Sequence, residues 1–227
     1  LARAMHDTGL VSDYHAAFLT WVLETEHDGM VADTLGLGTT GRDCMQQHRG
    51  LILELIRRAV RPETAQALYG MSLMLDRGIL HHAPIAPALR RQLELKPCQA
   101  VAERLSMAGL HAADPADLLL AGCIQVLGLP LGVGQGANPT CQSARAIAMW
   151  AQNDPDYLLH LVAQGTRIDS VMMHFEGRAI NSADLPAGLA LGAPLDADPV
   201  SVVLVPHLDR IYAEMGRLCA ARNDDPH

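Results

Sequence analysis

The chain has 227 residues, with 25 acidic and 17 basic side chains, a formal net charge of −8, and 49% hydrophobic but only 4% aromatic residues. This apolar composition excludes a mainly disordered chain, and the acidic balance argues against nucleic-acid binding. The longest apolar run, residues 118–131, contains Gln125 and Pro130 and is shorter than a bilayer-spanning helix, so we expect no membrane span. A core poor in aromatic residues favours packed helices.

The cysteine and histidine patterns predict no metal site and no other cofactor. The five cysteines are far apart and form no CxxC pair, which argues against a disulfide scaffold and a structural zinc site. Eleven histidines are present, but none has the HxxxH or HExxH spacing that binds a metal from one helix face. We therefore expect free thiols in a cytoplasmic protein, although a secreted effector without a cleaved signal would have the same composition.

Residues 1–130 predict helices separated by glycine and proline. Ser12 is placed to cap a helix that ends near Glu26, and a second helix is predicted from Asp43 to Val60. Proline suits the first helical turn, where its missing N–H is no loss. Three further helices are predicted to begin at prolines, namely Pro62, Pro97 and Pro115. Their short connections favour an antiparallel helical bundle.

A glycine-rich loop, residues 132–138, marks a change of pattern. It precedes a predicted helix with Asn138 as its N-cap and Pro139 as its first residue, which places Cys141 in the first turn. A further helix is predicted to begin at Pro155.

The C-terminal part predicts strands as well as helices. Residues 167–180 and 200–205 are interpreted as strands, the second because of its density of β-branched side chains, and a last helix is predicted over 208–221. We therefore expect an α+β fold that is mostly helical. An N-terminal helical bundle, residues 1–130, would pack on a small C-terminal α/β part, residues 131–227, with a short sheet; one continuous domain is the alternative.

Cys141 is the main candidate for a catalytic residue. In the first turn of a helix, unpaired N–H groups and the positive end of the helix dipole favour a thiolate. The preceding glycines let the backbone approach a ligand and present N–H groups to a carbonyl oxygen or an anion. A small buried cysteine beside a tight turn is the alternative interpretation. The predicted substrate or oxyanion loop consists of Gly134, Gln135, Gly136, Asn138 and Thr140.

A thiol nucleophile needs a base, and two histidines are candidates. His174 lies in a predicted strand, which could hold its ring rigidly against the first turn of a neighbouring helix. His207 directly follows the predicted strand 200–205, and Asp209 is placed either to orient it or to cap the next helix. A hydrogen-bonded histidine without a catalytic role is the alternative for each.

The order of these groups resembles that of the papain and transglutaminase-like thiol enzymes. A cysteine in the first turn of a helix, Cys141, is followed by a strand histidine, His174, and then by an acidic residue near a following strand. The resemblance extends only over the C-terminal part and implies a peptidase, deamidase or acyltransferase that acts on an acyl or amide bond. Its third catalytic member would be Asp196, Asp198 or Asp209.

Two other classes of function are also compatible with the sequence. The glycine loop 132–138 would suit a phosphate or another anion at a helix N-terminus, although its spacing departs from G-x-G-x-x-G. The chain could instead be a non-catalytic helical interaction domain. In the catalytic interpretation the partner is a small-molecule or peptide substrate, and exposed methionine-bearing helices would be compatible with a homodimer.

Overall fold

The structure is a computed structural model that describes residues 1–110, 113–134, 136–190 and 197–220. Within these ranges the chain forms twelve α-helices and one two-stranded sheet, which confirms the prediction of a mostly helical α+β fold. The α-helices are α1 (Ala2–Thr8), α2 (Asp13–Glu24), α3 (Val31–Leu35), α4 (Thr39–Gln47), α5 (Arg49–Ala59), α6 (Ala67–Asp76), α7 (Ile85–Leu93), α8 (Gln99–Met107), α9 (Pro115–Gly128), α10 (Cys141–Asn153), α11 (Pro155–Ile168) and α12 (Pro199–Ala220).

The sheet is a single hairpin among the described residues. Strand β1 (Met172–Phe175) pairs antiparallel with β2 (Arg178–Asn181). Glu176 and Gly177 connect them with φ angles of 49° and 78°, as in the tight turns that match the twist of a hairpin. The predicted extended stretch 167–180 is therefore confirmed only from the start of β1, since its first residues end α11.

Aspartate followed by proline opens three of the longer helices. In each, the aspartate carboxylate accepts a hydrogen bond from a backbone N–H of the first turn, which otherwise has no intrahelical acceptor. Two of these starts were predicted, as was the Ser12 hydroxyl that caps α2 through the N–H of His15. The capping residues are Asp114 of α9, Asp154 of α11 and Asp198 of α12.

Removal of one of these capping side chains should measurably lower the stability of the folded chain. Asp114 Oδ1 accepts from the N–H groups of Ala116 and Asp117 at 2.9 and 3.4 Å. We expect Asp114→Ala to lower the free energy of unfolding in urea by about 1 kcal/mol. Asp114→Asn is the matched control, because asparagine caps as well as aspartate and should leave stability nearly unchanged. Equal losses in both variants would show that the lost charge, not the lost cap, is responsible.

The predicted strand over residues 200–205 is wrong, because the segment forms the first part of α12. All six of its side chains are at most 1% exposed. A helix that is buried on every side carries an unbroken apolar run, so this pattern does not distinguish it from a buried strand. The predicted last helix is the continuation of the same element, which passes through Pro206.

Two predicted helices in the first half are shorter than expected. The helix predicted from Asp43 to Val60 is divided at His48, where α4 ends and α5 begins. The helix predicted from Pro62 begins instead with a 3-10 turn, and α6 starts only at Ala67.

Helix α9 lies at the centre of the fold. It packs against α5 and α6 on one side and against α12 on the other, and α12 in turn contacts α10 and α11. The inward-facing side chains predicted for α5, Leu51, Leu55 and Ile56, all lie in this core. Helix α10 is thus held by buried neighbours while its first turn reaches the surface. No helix in the described ranges has the length and apolar character needed to cross a membrane.

Candidate functional site

A groove of about 470 Å³ lies between the start of α10 and the middle of α12. Thr140 and Cys141 line it on the α10 side, and Asp209 and Tyr212 line it on the α12 side. Residues 187–189 form the remaining wall. The groove therefore brings together two of the predicted catalytic residues, Cys141 and Asp209.

Cys141 is the first residue of α10, and its side chain is exposed. The prediction that this cysteine lies in a first helical turn is confirmed. It is one of five free thiols, of which Cys44 and Cys123 are buried. Burial raises the pKa of Cys123 to about 12 and also raises that of Cys44, so both stay neutral thiols at physiological pH.

Thr140 immediately precedes Cys141 and takes the N-cap position that was predicted for Asn138. The prediction failed by two residues because the backbone carbonyl that accepts from the first turn is that of Thr140, at 3.0 Å from the N–H of Ser143. The Thr140 side chain is 4% exposed, and its hydroxyl has no hydrogen-bond partner. A buried hydroxyl without a partner is costly, so this group is available to a ligand in the groove.

Asp209 is held in place by the segment opposite it. Its Oδ2 accepts a hydrogen bond from the backbone N–H of Ala190 at 2.8 Å. A Cβ on Gly188 would lie 2.8 Å from Asp209 Cγ, so only glycine leaves room for this carboxylate. The Ala190 N–H thus holds the Asp209 carboxylate in place, and Gly188 leaves the space that this carboxylate occupies.

Tyr212 lies one turn after Asp209 and is half-buried. Burial, together with the nearby Tyr157, raises the pKa of Tyr212 to about 12. The phenol is therefore protonated at neutral pH and can donate a hydrogen bond into the groove, but it cannot act as a base there.

The two candidate histidines lie outside this groove, whose described lining contains no histidine. His174 is in β1, as predicted, and its side chain is exposed. His207 does not follow a strand but lies within α12, where it is 2% exposed. The structure therefore brings neither histidine into the lining of the groove that contains Cys141.

Only part of the predicted loop reaches the groove. Gly134 and Gly136 are half-buried and not among its described lining residues, and Asn138 is buried. Gln135 lies outside the described residues. Of the described members of this predicted loop, Thr140 alone lines the groove.

The other acidic candidates for a third catalytic member are placed differently. Asp196 lies outside the described residues. Asp198 caps α12 through both its oxygens, which accept from the N–H and the hydroxyl of Ser201 at 2.9 and 2.6 Å. Burial raises the pKa of Asp198, with the two hydrogen bonds acting in the opposite direction. Its carboxylate is committed to the start of α12.

A second cluster has the composition of a serine hydrolase triad but is closed to substrates. His207 Nδ1 lies 3.0 Å from Ser182 Oγ, and its Nε2 lies 3.3 Å from Asp169 Oδ1. Ser182 is 0% exposed, and its hydroxyl oxygen already accepts from the N–H of Val171. Because no substrate can reach the serine, we assign this cluster a structural role that ties α12 to the end of α11.

No group of three or more metal-ligating side chains comes together within the described ranges. Comparisons with protein-family models, curated proteins and solved structures found no match for the chain. The function is therefore argued from the groove itself.

Two groove residues, Tyr212 and Gly188, were not predicted. Tyr212 is one turn from Asp209, and both lie in the helix predicted over 208–221, but no local pattern shows which face of that helix packs against α10. Gly188 lies in a loop with no pattern of its own. The missing information was therefore the packing of α12 against α10, which is a tertiary contact and has no short-range signal.

Proposed function

We propose that the protein is a thiol enzyme that acts on an acyl or amide bond, with Cys141 as its nucleophile and a small molecule or peptide as its substrate. The observation that carries this proposal is the exposed Cys141 at the N-terminus of a 13-residue helix, beside the unpartnered, buried hydroxyl of Thr140. The backbone N–H groups at the start of this helix have no intrahelical acceptors, so they can bind a group that reacts with the sulfur. The proposal retains the nucleophile that the papain and transglutaminase-like resemblance implied.

The start of α10 is suited to bind the oxygen of a reacting carbonyl group. The first N–H groups of a helix have no intrahelical acceptors, and they point out of its N-terminus. Together with the Thr140 hydroxyl they supply donors next to the sulfur of Cys141. Negative charge that develops on the carbonyl oxygen during attack would be stabilised by these donors.

Asp209 takes the role of the base in this proposal, in place of a histidine. Among the described residues that line the groove, it is the one carboxylate, and Tyr212 stays protonated. Asp209 would accept the thiol proton and return it to the leaving amine or alcohol, which leaves a thioester on Cys141. Water would then hydrolyse the thioester and regenerate the thiol.

The proposal is tested first by the rate at which each thiol is alkylated. We expect iodoacetamide to modify Cys141 at least about tenfold faster than Cys219, which is also exposed, as followed by mass spectrometry of peptides. Asp209→Asn should instead slow acyl transfer to Cys141, in which the thiol proton must reach the leaving group, and leave the alkylation of Cys219 unchanged. Equal rates at the two exposed thiols in the wild-type chain would remove the proposal.

A second measurement separates acyl transfer from simple reactivity. Incubation with 4-nitrophenyl esters should release nitrophenolate and leave an acyl group on Cys141, and Cys141→Ala should abolish both. Thr140→Val should lower this turnover about 100-fold while leaving alkylation intact, because alkylation develops no charge on a carbonyl oxygen. Fast alkylation without any acyl adduct would favour the alternative, an anion-binding module at the same helix end.

A further inference from the structure

The groove at Cys141 continues along α10. A second depression of about 340 Å³ is lined by Arg145 and Met149 of α10, and it shares Gln142 and Tyr212 with the groove at Cys141. Cys141, Arg145 and Met149 are spaced four residues apart, so they lie on one face of the helix. The two depressions therefore adjoin each other between α10 and α12, and the thiol lines the first of them.

Arg145 is the charged side chain of the second depression. Its side chain is exposed, and it forms no ion pair or hydrogen bond within the part of the chain that the structure describes. Seven arginines of this acidic protein pair with carboxylates in the described ranges, for example Arg58 with Asp117 at 2.6 Å and Arg104 with Asp169 at 2.7 Å, and Arg145 is not one of these seven. The guanidinium of Arg145 is thus free to bind a group from outside the chain.

The spacing along the helix defines the size of that group. Four residues of an α-helix rise by about 6 Å, which separates the backbone positions of Cys141 and Arg145. An extended acyl chain of four or five carbons is comparable in length to this separation. A guanidinium binds a carboxylate more tightly than a neutral group, because two parallel charge-assisted hydrogen bonds can form.

We propose that the substrate is an ester or amide of a short dicarboxylic acid, whose free carboxylate binds Arg145 while its other carbonyl carbon lies at Cys141 Sγ. This inference rests on the proposed function. The sulfur forms a bond to the carbonyl carbon, the bond to the amine or alcohol breaks, and the leaving group departs with the thiol proton. Water then cleaves the thioester, which releases the dicarboxylate and restores the thiol.

The first test needs no substrate. Iodoacetate and iodoacetamide differ in having a carboxylate or an amide, and the ratio of their rates at one thiol measures the local preference for an anion. We expect this ratio to be about tenfold higher at Cys141 than at Cys219 in the same chain, and to fall by about the same factor in Arg145→Gln. The rate with iodoacetamide should change little in this variant.

The control for the change in charge is Arg167→Gln. Arg167 is exposed at the end of α11 and lies outside both depressions, so its removal alters the net charge equally. It should leave the ratio at Cys141 unchanged. A ratio that stays at the wild-type value in Arg145→Gln, or that falls equally in Arg167→Gln, overturns the assignment of Arg145.

The second test uses turnover and includes the conservative variant. The kcat/KM of mono-4-nitrophenyl glutarate should exceed that of 4-nitrophenyl pentanoate, and Arg145→Gln should lower the first at least about tenfold through KM while sparing the second. Arg145→Lys should restore part of the difference. Equal kcat/KM values for the two esters would overturn the dicarboxylate proposal and leave the thiol enzyme intact.

The two proposals fail in different ways. If Cys141 is alkylated by iodoacetamide no faster than Cys219 and yet shows an Arg145-dependent preference for iodoacetate, the thiol enzyme is refuted and the carboxylate site is supported. If Cys141 is fast and acylated but shows no dependence on Arg145, the enzyme stands and the substrate assignment is refuted.

Discussion

Gly128→Ala should destabilise the protein by about 3 kcal/mol or more, although alanine is the better helix former. Gly128 is the last residue of α9, and a Cβ there would collide with the carbonyl group of Gly70 in α6, lying 2.8 Å from its carbon. A Cβ on Gly70 would in turn lie 2.7 Å from Gln125 Cα. Because these neighbours are backbone atoms, neither helix can yield without displacing its partner.

The matched control is Gly216→Ala in α12. Gly216 is exposed in a helix, and a Cβ there would meet no atom within 4 Å. The same change of residue should therefore stabilise the chain by about 0.5 to 1 kcal/mol through helix propensity alone. Both variants are measured by urea unfolding. Similar effects of the two substitutions would show that α6 and α9 do not pack backbone to backbone.

The sequence predicted best those features that depend on local hydrogen bonds. Ser12, Asp114 and Asp154 were all expected to open helices, and each does so with a side chain that binds an N–H two or three residues later. The same Asp-Pro signal occurs at Asp198 and Pro199, where it opens α12. The β-branched residues that follow favoured a strand over 200–205, so the helix start at Asp198 and Pro199 was not predicted.

Features that depend on burial by distant elements could not be predicted in this way. Val202, Val203 and Val205 have strand propensity, but they are buried in α12, against which α8, α9, α10 and α11 all pack. The same error displaced His207, which was expected at the end of a strand and lies inside α12. Tertiary contacts therefore decided both the element and the environment of the histidine.

The candidate site was predicted in part because its centre is local. Cys141 was placed in a first helical turn from the residues just before it, and this placement is confirmed. Asp209 was named as a partner for His207, but it lines the groove of Cys141 instead. Its position there depends on how α12 crosses α10, and no short-range pattern encodes that crossing.

The stability of the chain should fall as the pH decreases from about 7 to 4, and His207→Gln should make this fall smaller. Burial lowers the pKa of His207, and the neighbouring Asp169 carboxylate offsets only part of that effect, while Arg104 and Arg210 add to it. As the pH drops through about 6.5, the histidine of the unfolded chain gains a proton that the folded chain resists. The folded state therefore loses stability relative to the unfolded state in this window.

The structural reason is the set of groups that surrounds the ring. Ser182 Oγ lies 3.0 Å from Nδ1, and Asp169 also pairs with Arg104 at 2.7 Å, so the charge of the carboxylate is already balanced. A proton on His207 would add a second positive charge to a ring that is 2% exposed. We expect the cost to be on the order of 2 kcal/mol.

The experiment compares urea unfolding of the wild-type chain and of His207→Gln at intervals between pH 7 and pH 4. Burial also lowers the pKa of His15, which destabilises the folded chain as the pH falls, and raises the pKa of Asp198, which has the opposite effect on stability. Both groups are present in the wild type and in the variant, so their contributions cancel in the difference between the two. The difference in unfolding free energy should therefore shrink as the pH falls. The exposed His174→Gln is the control and should give a profile parallel to the wild type. A difference in unfolding free energy that stays constant across this range would contradict the prediction. It would mean that His207 is protonated as readily in the folded chain as in the unfolded one.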